Sequence, residues 1–110
     1  DNVRSLSADD NGKTGWMSFP LMRRNKVQGK RKEFQIYLEK SGIQTRTVFT
    51  GNILRQPVAK KFKWDSYGEF NSSDQIMENG VLLGCHNKMT KEKLDYMISK
   101  IIEAEECILK

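Results

Sequence analysis

The alternation of apolar and polar residues first becomes regular at residues 16–22. Met17, Phe19 and Leu21 fall there on one side of an extended chain, as they do in a half-buried strand. Pro20 has no backbone N–H and cannot donate to a neighbouring strand. The pattern therefore predicts a strand that lies at an edge of its sheet or contains a bulge.

The next two segments change from helical to extended periodicity. Residues 31–41 carry apolar side chains at three- and four-residue spacing, and Gly42 is a typical helix stop, so an amphipathic helix is predicted. Residues 43–50 are rich in β-branched side chains, which predicts a second strand. Pro57 disfavours helix at the residue before it, so the stretch that Gly51 opens should be an irregular connection.

The second half of the chain predicts a helix, a strand and a longer helix. Residues 60–71 lack clean periodicity and are not assigned, whereas residues 72–74 offer cap chemistry for a short helix that ends near Glu78. Residues 81–84 form an apolar run that suits a buried strand, and Thr90 can cap the last helix. One apolar stripe marks that helix as a major part of the core: Leu94, Met97, Ile98, Ile101, Ile102 and Ile108.

The composition is that of one folded domain. With 110 residues, 37% hydrophobic and 30% charged, the chain can bury a core but is too short for a two-lobed cofactor enzyme. The order of its elements predicts a two-layer α/β (α+β) domain. Residues 1–13 are polar, so we expect a linker or a remnant of a preceding domain there and one domain over residues 14–110.

Charge, cysteines and the chain start restrict the class of protein further. The formal net charge of +5 favours an anionic partner such as a phosphate. Cys85 and Cys107 lie far apart without metal-ligand spacing, so we expect reduced thiols and no metal site. The chain starts at Asp1 without a signal or membrane segment, which suggests a cytoplasmic, processed protein without a membrane partner. Six basic residues crowd the loop before the first helix and the start of that helix and are expected at a solvated surface: Arg23, Arg24, Lys26, Lys30, Arg31 and Lys32.

Two motifs carry a resemblance to a known family. The run GIQTRTVFTGNILRQP at residues 42–57 resembles the signature of the C-terminal small domain of the DegT/DnrJ family of sugar aminotransferases and dehydratases. MENGVLLGCHNKMTKEKLDYM at residues 77–97 is similar to that family's closing strand, turn and terminal helix. Within the family, residues 49–57 most resemble the branch of CDP-4-keto-6-deoxyglucose 3-dehydrase and GDP-4-keto-6-deoxymannose 3-dehydratase.

The resemblance implies a fold and a parent enzyme. Its fold would be the small C-terminal domain of the aspartate-aminotransferase-like, fold type I architecture, a short and mostly antiparallel sheet covered by helices. The parent would use pyridoxal phosphate (PLP) or pyridoxamine phosphate (PMP) on nucleotide-linked keto-deoxy sugars, in lipopolysaccharide O-antigen or deoxysugar biosynthesis. Its large domain would hold the cofactor and the lysine or histidine of catalysis, and it would be a homodimer. We therefore expect no catalytic residue, bound cofactor or turnover in this segment alone.

Five residues are candidates for contacts with the nucleotide-sugar. Arg55 and Arg46 suit phosphate oxygens because a guanidinium offers planar, bidentate recognition, although either could be a surface or salt-bridge arginine. Asn52 and the backbone of Gly51 could donate to sugar hydroxyls, although turn chemistry alone also explains them. His86 lies in the turn of the second motif, where it could shape the turn or line the wall of a binding site.

Two other classes of function remain open from the residues alone. The run KKFKW at residues 60–64 interleaves lysines with aromatic side chains, as a single-stranded nucleic-acid-binding domain does. The absence of a known RNA-binding motif counts against that alternative, and we expect no nucleic-acid partner. A free-standing interaction module is the third class.

Overall fold

The structure, a computed structural model, describes residues 3–5, 15–23 and 29–109. Two 3₁₀ turns, Ile53–Arg55 and Pro57–Lys61, interrupt the longest connection between regular elements. The strands and helices follow in this order: β1 Val3–Ser5, β2 Ser18–Arg23, α1 Arg31–Lys40, β3 Thr45–Thr47, α2 Asn71–Asn79, β4 Gly80–Gly84 and α3 Lys91–Leu109.

The four strands form one antiparallel sheet in the order β1-β2-β4-β3. Helices α1 and α3 pack on the sheet, and the buried core lies between the two layers. Its buried apolar members come from every layer: Leu21, Phe34, Leu38, Ile43, Val81, Leu83 and Ala104. The fold is therefore a two-layer α/β domain with a short antiparallel sheet covered by helices, as the sequence predicts.

The first strand is confirmed, but its predicted place at the edge of the sheet is wrong. β2 pairs with β1 on one side and with β4 on the other. Pro20 lies opposite Leu82 of β4, while the described pairing with β1 covers only residues 21–23, so that side of the strand has no described partner at the proline. The predicted buried face is also shifted along the strand, because Met17 is 80% exposed.

The second strand is shorter than the β-branched run predicts. Only Thr45–Thr47 pairs with β4, and Phe49 has a φ of 47°, in the left-handed region. The chain turns there because the Phe49 N–H donates to the Thr47 carbonyl at 2.9 Å. The Gly51 N–H donates to the Val48 carbonyl, also at 2.9 Å, which completes the turn. Residues 48–50 therefore leave the sheet.

The helices agree with the prediction except in one cap. α1 and β4 lie where the sequence predicts them, and the Thr90 hydroxyl caps α3 by accepting from the Lys93 N–H at 3.3 Å. The predicted cap of α2 is wrong, because the helix begins at Asn71 and Phe70 occupies the cap position without a side-chain hydrogen bond. The predicted cap residues therefore lie inside its first turn.

The apolar stripe of α3 divides into a buried half and an exposed half. Met97, Ile101 and Ile108 pack on the core, whereas the other three residues are about half exposed. Those three recur every four residues on a neighbouring face of the helix: Leu94, Ile98 and Ile102. The helix contributes less of its stripe to the core than the spacing predicts.

Arg23 corrects the prediction of a solvated basic surface. Its side chain is 1% exposed and its guanidinium lies over the Phe34 ring, 4.7 Å from the ring centroid. Nη1 donates to the Lys30 carbonyl, and burial lowers the pKa of Arg23 while Glu105 and Glu33 partly oppose that shift. A long aliphatic stem and a flat cation let this arginine pack against an aromatic ring.

The other basic residues of that segment have different positions. Arg31 is half-buried and Nη1 of its side chain donates to the Met77 carbonyl, while Lys30 donates to the Ile108 carbonyl at 3.0 Å. Lys32 is exposed as predicted, and Arg24 and Lys26 lie outside the described residues.

The sheet also includes part of the segment that the sequence predicts as a linker. Val3–Ser5 pairs with β2 from Leu21 to Arg23, so these three residues belong to the sheet. The rest of residues 1–13 lies outside the described part of the chain, and the predicted boundary near residue 14 stays a prediction.

Candidate functional site

The connection between β3 and α2 carries three of the five candidate residues. It begins with an ordered turn because the Asn52 side-chain oxygen accepts from the Leu54 N–H at 3.0 Å and caps the first 3₁₀ turn. Pro57 starts the second 3₁₀ turn, where its fixed φ fits and no N–H is required. Residues 51–57 are therefore an irregular but shaped connection, as predicted.

Asp74 of α2 holds this connection in place. Its carboxylate accepts two bonds from Arg55, Nε to Oδ1 at 3.1 Å and Nη2 to Oδ2 at 2.8 Å. It also accepts from the Asn52 amide at 2.7 Å. The hydrogen bonds from Arg55 and then from Asn52 lower the pKa of Asp74, and the same carboxylate raises the pKa of Arg55.

From the sequence, Asp74 is predicted only as a helix cap, because it follows a serine pair. Its ion pair with Arg55 is a tertiary contact that no local pattern indicates. Asn52 is 4% exposed and both ends of its amide are used inside the protein. Its geometry suits a residue that shapes the loop.

Gly51 allows the loop to pack tightly on α2. Its φ is +67°, and a Cβ at this position would lie 2.3 Å from the Cβ of Met77. Gln56 reinforces the contact, since its amide donates to the Thr50 carbonyl at 2.9 Å and lies 3.7 Å from the Met77 sulfur. Glycine is required here by both its backbone conformation and the approach of a helix.

Arg46 and His86 lie on neighbouring depressions away from this loop. Arg46 is exposed on β3 and lines a depression of about 390 Å³. His86 is exposed in the turn after β4, where its Nδ1 accepts from the Lys88 N–H at 3.1 Å, and it lines a cleft of about 580 Å³. Gln44 and Gly84 line both depressions.

The five candidates therefore fall into two groups. Arg46 and His86 line two neighbouring depressions that have Gln44 and Gly84 in common. Gly51 and Asn52 line a third depression of about 280 Å³. Arg55 lies on the same connection as that second pair, with its side chain 58% exposed.

Aromatic residues form one wall of the third depression. Trp64, Tyr67 and Phe70 line it. The Trp64 indole N–H donates to the Ala59 carbonyl at 3.0 Å, and the Phe62 ring lies edge-on to the indole with centroids 6.3 Å apart. The sequence marks only Phe62 and Trp64 among these aromatic residues, through the nucleic-acid alternative.

The fold defines the class of protein. Comparison with solved structures gives the chain the fold of one part of the PLP fold type I, aminotransferase-like architecture, since it covers 26% and 25% of two matched chains. Residues 2–102 match the DegT/DnrJ/EryC1/StrS aminotransferase family, and this chain belongs to that family.

Among curated proteins, the chain is similar to the lipopolysaccharide biosynthesis protein RfbH of Salmonella typhimurium strain LT2. The two are 32% identical over 96 residues, which is 87% of this chain and 22% of RfbH. GDP-4-keto-6-deoxy-D-mannose 3-dehydratase of Escherichia coli O55:H7 is 25% identical over 89 residues, 80% of this chain and 23% of that protein. The chain thus spans about a fifth of the length of these relatives.

Solved structures of low sequence identity share the fold. E. coli GDP-4-keto-6-deoxy-D-mannose-3-dehydratase with bound hydrated PLP superposes with a TM-score of 0.78 at 22% identity, over 91% of this chain and 25% of that chain. The PMP form of Spr1654 from Streptococcus pneumoniae gives a TM-score of 0.81 at 18% identity, over 98% and 27%.

Every lysine side chain in the described part of the chain is exposed or half-buried. No group of three or more His, Cys, Asp or Glu residues that could hold a metal ion occurs among the residues searched. No described helix is long and apolar enough to span a membrane.

Proposed function

We propose that this chain is the C-terminal small domain of a PLP- or PMP-dependent enzyme that acts on nucleotide-linked keto-deoxy sugars. The reaction would be 3-dehydration or sugar amination in lipopolysaccharide O-antigen or deoxysugar biosynthesis. Family membership and the names of the relatives RfbH and GDP-4-keto-6-deoxy-D-mannose 3-dehydratase support this proposal. The large domain of the same parent would hold the cofactor, in a homodimer, and this segment alone would have no turnover.

The geometry that carries the proposal is the fixed position of Arg55. Asp74 engages Nε and Nη2, and no hydrogen bond among the described residues uses Nη1. A half-exposed guanidinium held by a carboxylate is oriented in advance, which favours binding of a phosphate oxygen through its remaining edge. We infer that Arg55 binds the diphosphate of the substrate and that Asp74 positions it.

The other candidates would have supporting roles. Asn52 and Gly51 would hold the loop that presents Arg55, since both are committed to packing and hydrogen bonds within the protein. Arg46 and His86 would contact a different part of the substrate, because they line neighbouring depressions on another side of the domain.

Exposed apolar side chains support the idea that a further part of the parent covers this connection. Six large hydrophobic side chains are exposed between β3 and α2: Phe49, Ile53, Val58, Phe62, Trp64 and Tyr67. Exposed apolar residues are covered in this way at domain interfaces of soluble proteins. We propose that some of these side chains contact the large domain of the parent.

The test compares the full-length parent with the isolated 110-residue chain. Each is incubated with CDP-, GDP- and dTDP-linked 4-keto-6-deoxyhexoses, PLP and glutamate, and the sugar products are identified by mass spectrometry. Loss of the C3 oxygen would identify a 3-dehydratase, and an amine at C4 would identify an aminotransferase. Turnover by the isolated chain, or neither product from the full-length parent, would contradict the proposal.

The nucleic-acid alternative is retained because Phe62 is 63% exposed and Trp64 45% exposed within a lysine-rich run. A titration with a random single-stranded oligonucleotide at two salt concentrations separates the two functions. Tight binding with a steep salt dependence would favour the alternative.

A further inference from the structure

The depression between residues 51–54 and residues 64–70 is a groove with an aromatic wall, called here the aromatic groove. Its volume of about 280 Å³ lies just below the usual range for a whole small-molecule ligand. The space therefore suits one ring system of a larger ligand. We propose that the aromatic groove binds the nucleobase of the nucleotide-linked substrate, an inference that rests on the proposed function.

Trp64 is built to present a ring face to a ligand. Its indole N–H already donates to the Ala59 carbonyl at 3.0 Å, and its side chain is still 45% exposed. The edge-on contact with Phe62, at an interplanar angle of 82°, further fixes the ring. With the donor occupied and the orientation fixed, the part of the ring that remains exposed can stack on any nucleobase.

Tyr67 adds a second ring to the same groove. It is 98% exposed and directly precedes Gly68, whose φ is +74°. A tyrosine this exposed does not contribute to the core. Two exposed rings that line one groove give a planar heterocycle a surface on which to stack.

The charges around the groove give the bound ligand a direction. Asp65 lines the groove and can accept a hydrogen bond from a base N–H, but it repels a phosphate. The lysines at positions 60, 61 and 63 are exposed, immediately precede Trp64 in the chain, and attract a phosphate. The base therefore lies in the groove and its phosphates point away from Asp65, toward Arg55, which directly follows the lining residue Leu54, and toward the lysines.

A continuous nucleic-acid strand fits this arrangement less well than a single nucleotide. The groove has room for one ring, and Asp65 and Glu69 interrupt the positive charge along the segment. A bound strand requires a continuous basic track with several stacking positions. The observations favour a monomeric nucleotide.

The first experiment uses the two tryptophans of the chain as separate reporters. The indole N–H signals of Trp64 and Trp16, assigned with single Trp→Phe variants, are followed by NMR during titrations with CDP, GDP, dTDP, inorganic phosphate and a random single-stranded oligonucleotide. We expect saturable shifts of the Trp64 signal with at least one nucleotide and none with phosphate. Trp16, 38% exposed and outside the groove, is the internal control.

Three outcomes of that titration would overturn the inference. Equal shifts of both indoles would indicate non-specific association, and a response to phosphate alone would indicate charge without stacking. A response to an oligonucleotide but to no mononucleotide would favour a nucleic-acid strand as the occupant.

The second experiment measures kinetics in the full-length parent. Trp64→Leu should raise the KM for the nucleotide-sugar roughly 5- to 150-fold, the range of base–aromatic stacking, with a smaller change in kcat. Trp16→Leu is the matched control and should leave KM unchanged. Tyr67→Ala, at a position 98% exposed, gives a second reading if the Trp64 variant folds poorly.

Failure of this inference can be distinguished from failure of the proposed function. A parent that converts a nucleotide-sugar while Trp64→Leu and Tyr67→Ala both keep the wild-type KM would refute the aromatic groove and leave the proposed function intact. Saturable nucleotide binding at Trp64 in a parent without sugar turnover would refute the proposed function and keep the groove as a nucleotide site.

Discussion

Two regions of this small domain use different means to stay in place. The core between the sheet and helices α1 and α3 is made of apolar side chains, and Phe34, Leu38 and Val81 are fully buried there. The connection between β3 and α2 exposes its apolar residues and is held by a carboxylate, an amide and a guanidinium. We therefore expect that substitutions in the two regions affect stability and the proposed ligand contacts separately.

Phe34→Ala should give the largest loss of stability and would sharpen that comparison. The ring is 0% exposed, so its removal leaves a cavity and should lower the free energy of unfolding by about 3–5 kcal/mol. Urea denaturation measures the change. Tyr67→Ala is the control in the other region and should alter stability by less than about 0.5 kcal/mol. Equal losses from the two variants would break the comparison.

Substitutions at two glycines distinguish the effect of close packing on stability from the effect of a left-handed backbone conformation. Gly51→Ala should cost about 2–5 kcal/mol, because the left-handed φ and the collision with Met77 both oppose a Cβ. Gly42→Ala has a similar φ of +76° but nothing within 4 Å, so it should cost only about 1–2 kcal/mol. Thermal melts of the two variants measure the difference. Equal costs would mean that the loop does not need to approach α2 closely.

The sequence predicts the core better than the connection between β3 and α2. The periodicity of apolar residues indicates which face of a helix or strand is buried, and the connection has no such periodicity. α1 and β4 were predicted from local spacing, and the structure has them in place. The same rule overestimates the core contribution of α3, since Ile98 lies in the apolar stripe yet is 55% exposed. Spacing identifies an apolar face of a helix, but it does not show how much of that face a neighbouring element covers.

Tertiary contacts explain the other failures of the sequence analysis. Arg23 is buried because the ring of Phe34 accepts its guanidinium, and no local pattern marks an arginine for that position. From the sequence, Asp74 is predicted as a helix cap. In the fold, its carboxylate binds Arg55, which lies 19 residues earlier in the chain. The resemblance to a family indicates residues 51–57 as a candidate binding loop. The hydrogen-bond partners of that loop can be seen only in the folded structure.

Arg55→Ala in the full-length parent tests whether the polar contacts of the connection serve binding. Loss of a charge-assisted bond to phosphate should lower kcat/KM roughly 10- to 150-fold, while the melting temperature changes little. The small effect on stability is expected because the ion pair with Asp74 is solvent-exposed on the arginine side.

Asp74→Asn tests, in the same kinetic assay, the residue that is proposed to position Arg55. It should lower kcat/KM less than Arg55→Ala does, and the double variant should resemble the arginine variant because both changes act on one interaction. Normal kinetics with a markedly lower melting temperature in Arg55→Ala would instead show that the arginine is a structural residue.

The smallest expected effect is the acid sensitivity of the connection. Hydrogen bonds from Arg55 and Asn52 hold the pKa of Asp74 below its usual value of 3.8. Because the folded pKa is lowered, the stabilisation from this carboxylate is present above pH 3.8 and is lost as the pH falls through the lowered value. The difference in melting temperature between the wild type and Asp74→Asn should therefore shrink on acidification. Arg55→Ala should reduce that pH dependence, whereas a difference that stays constant or grows in acid would mean that Asp74 does not hold the connection.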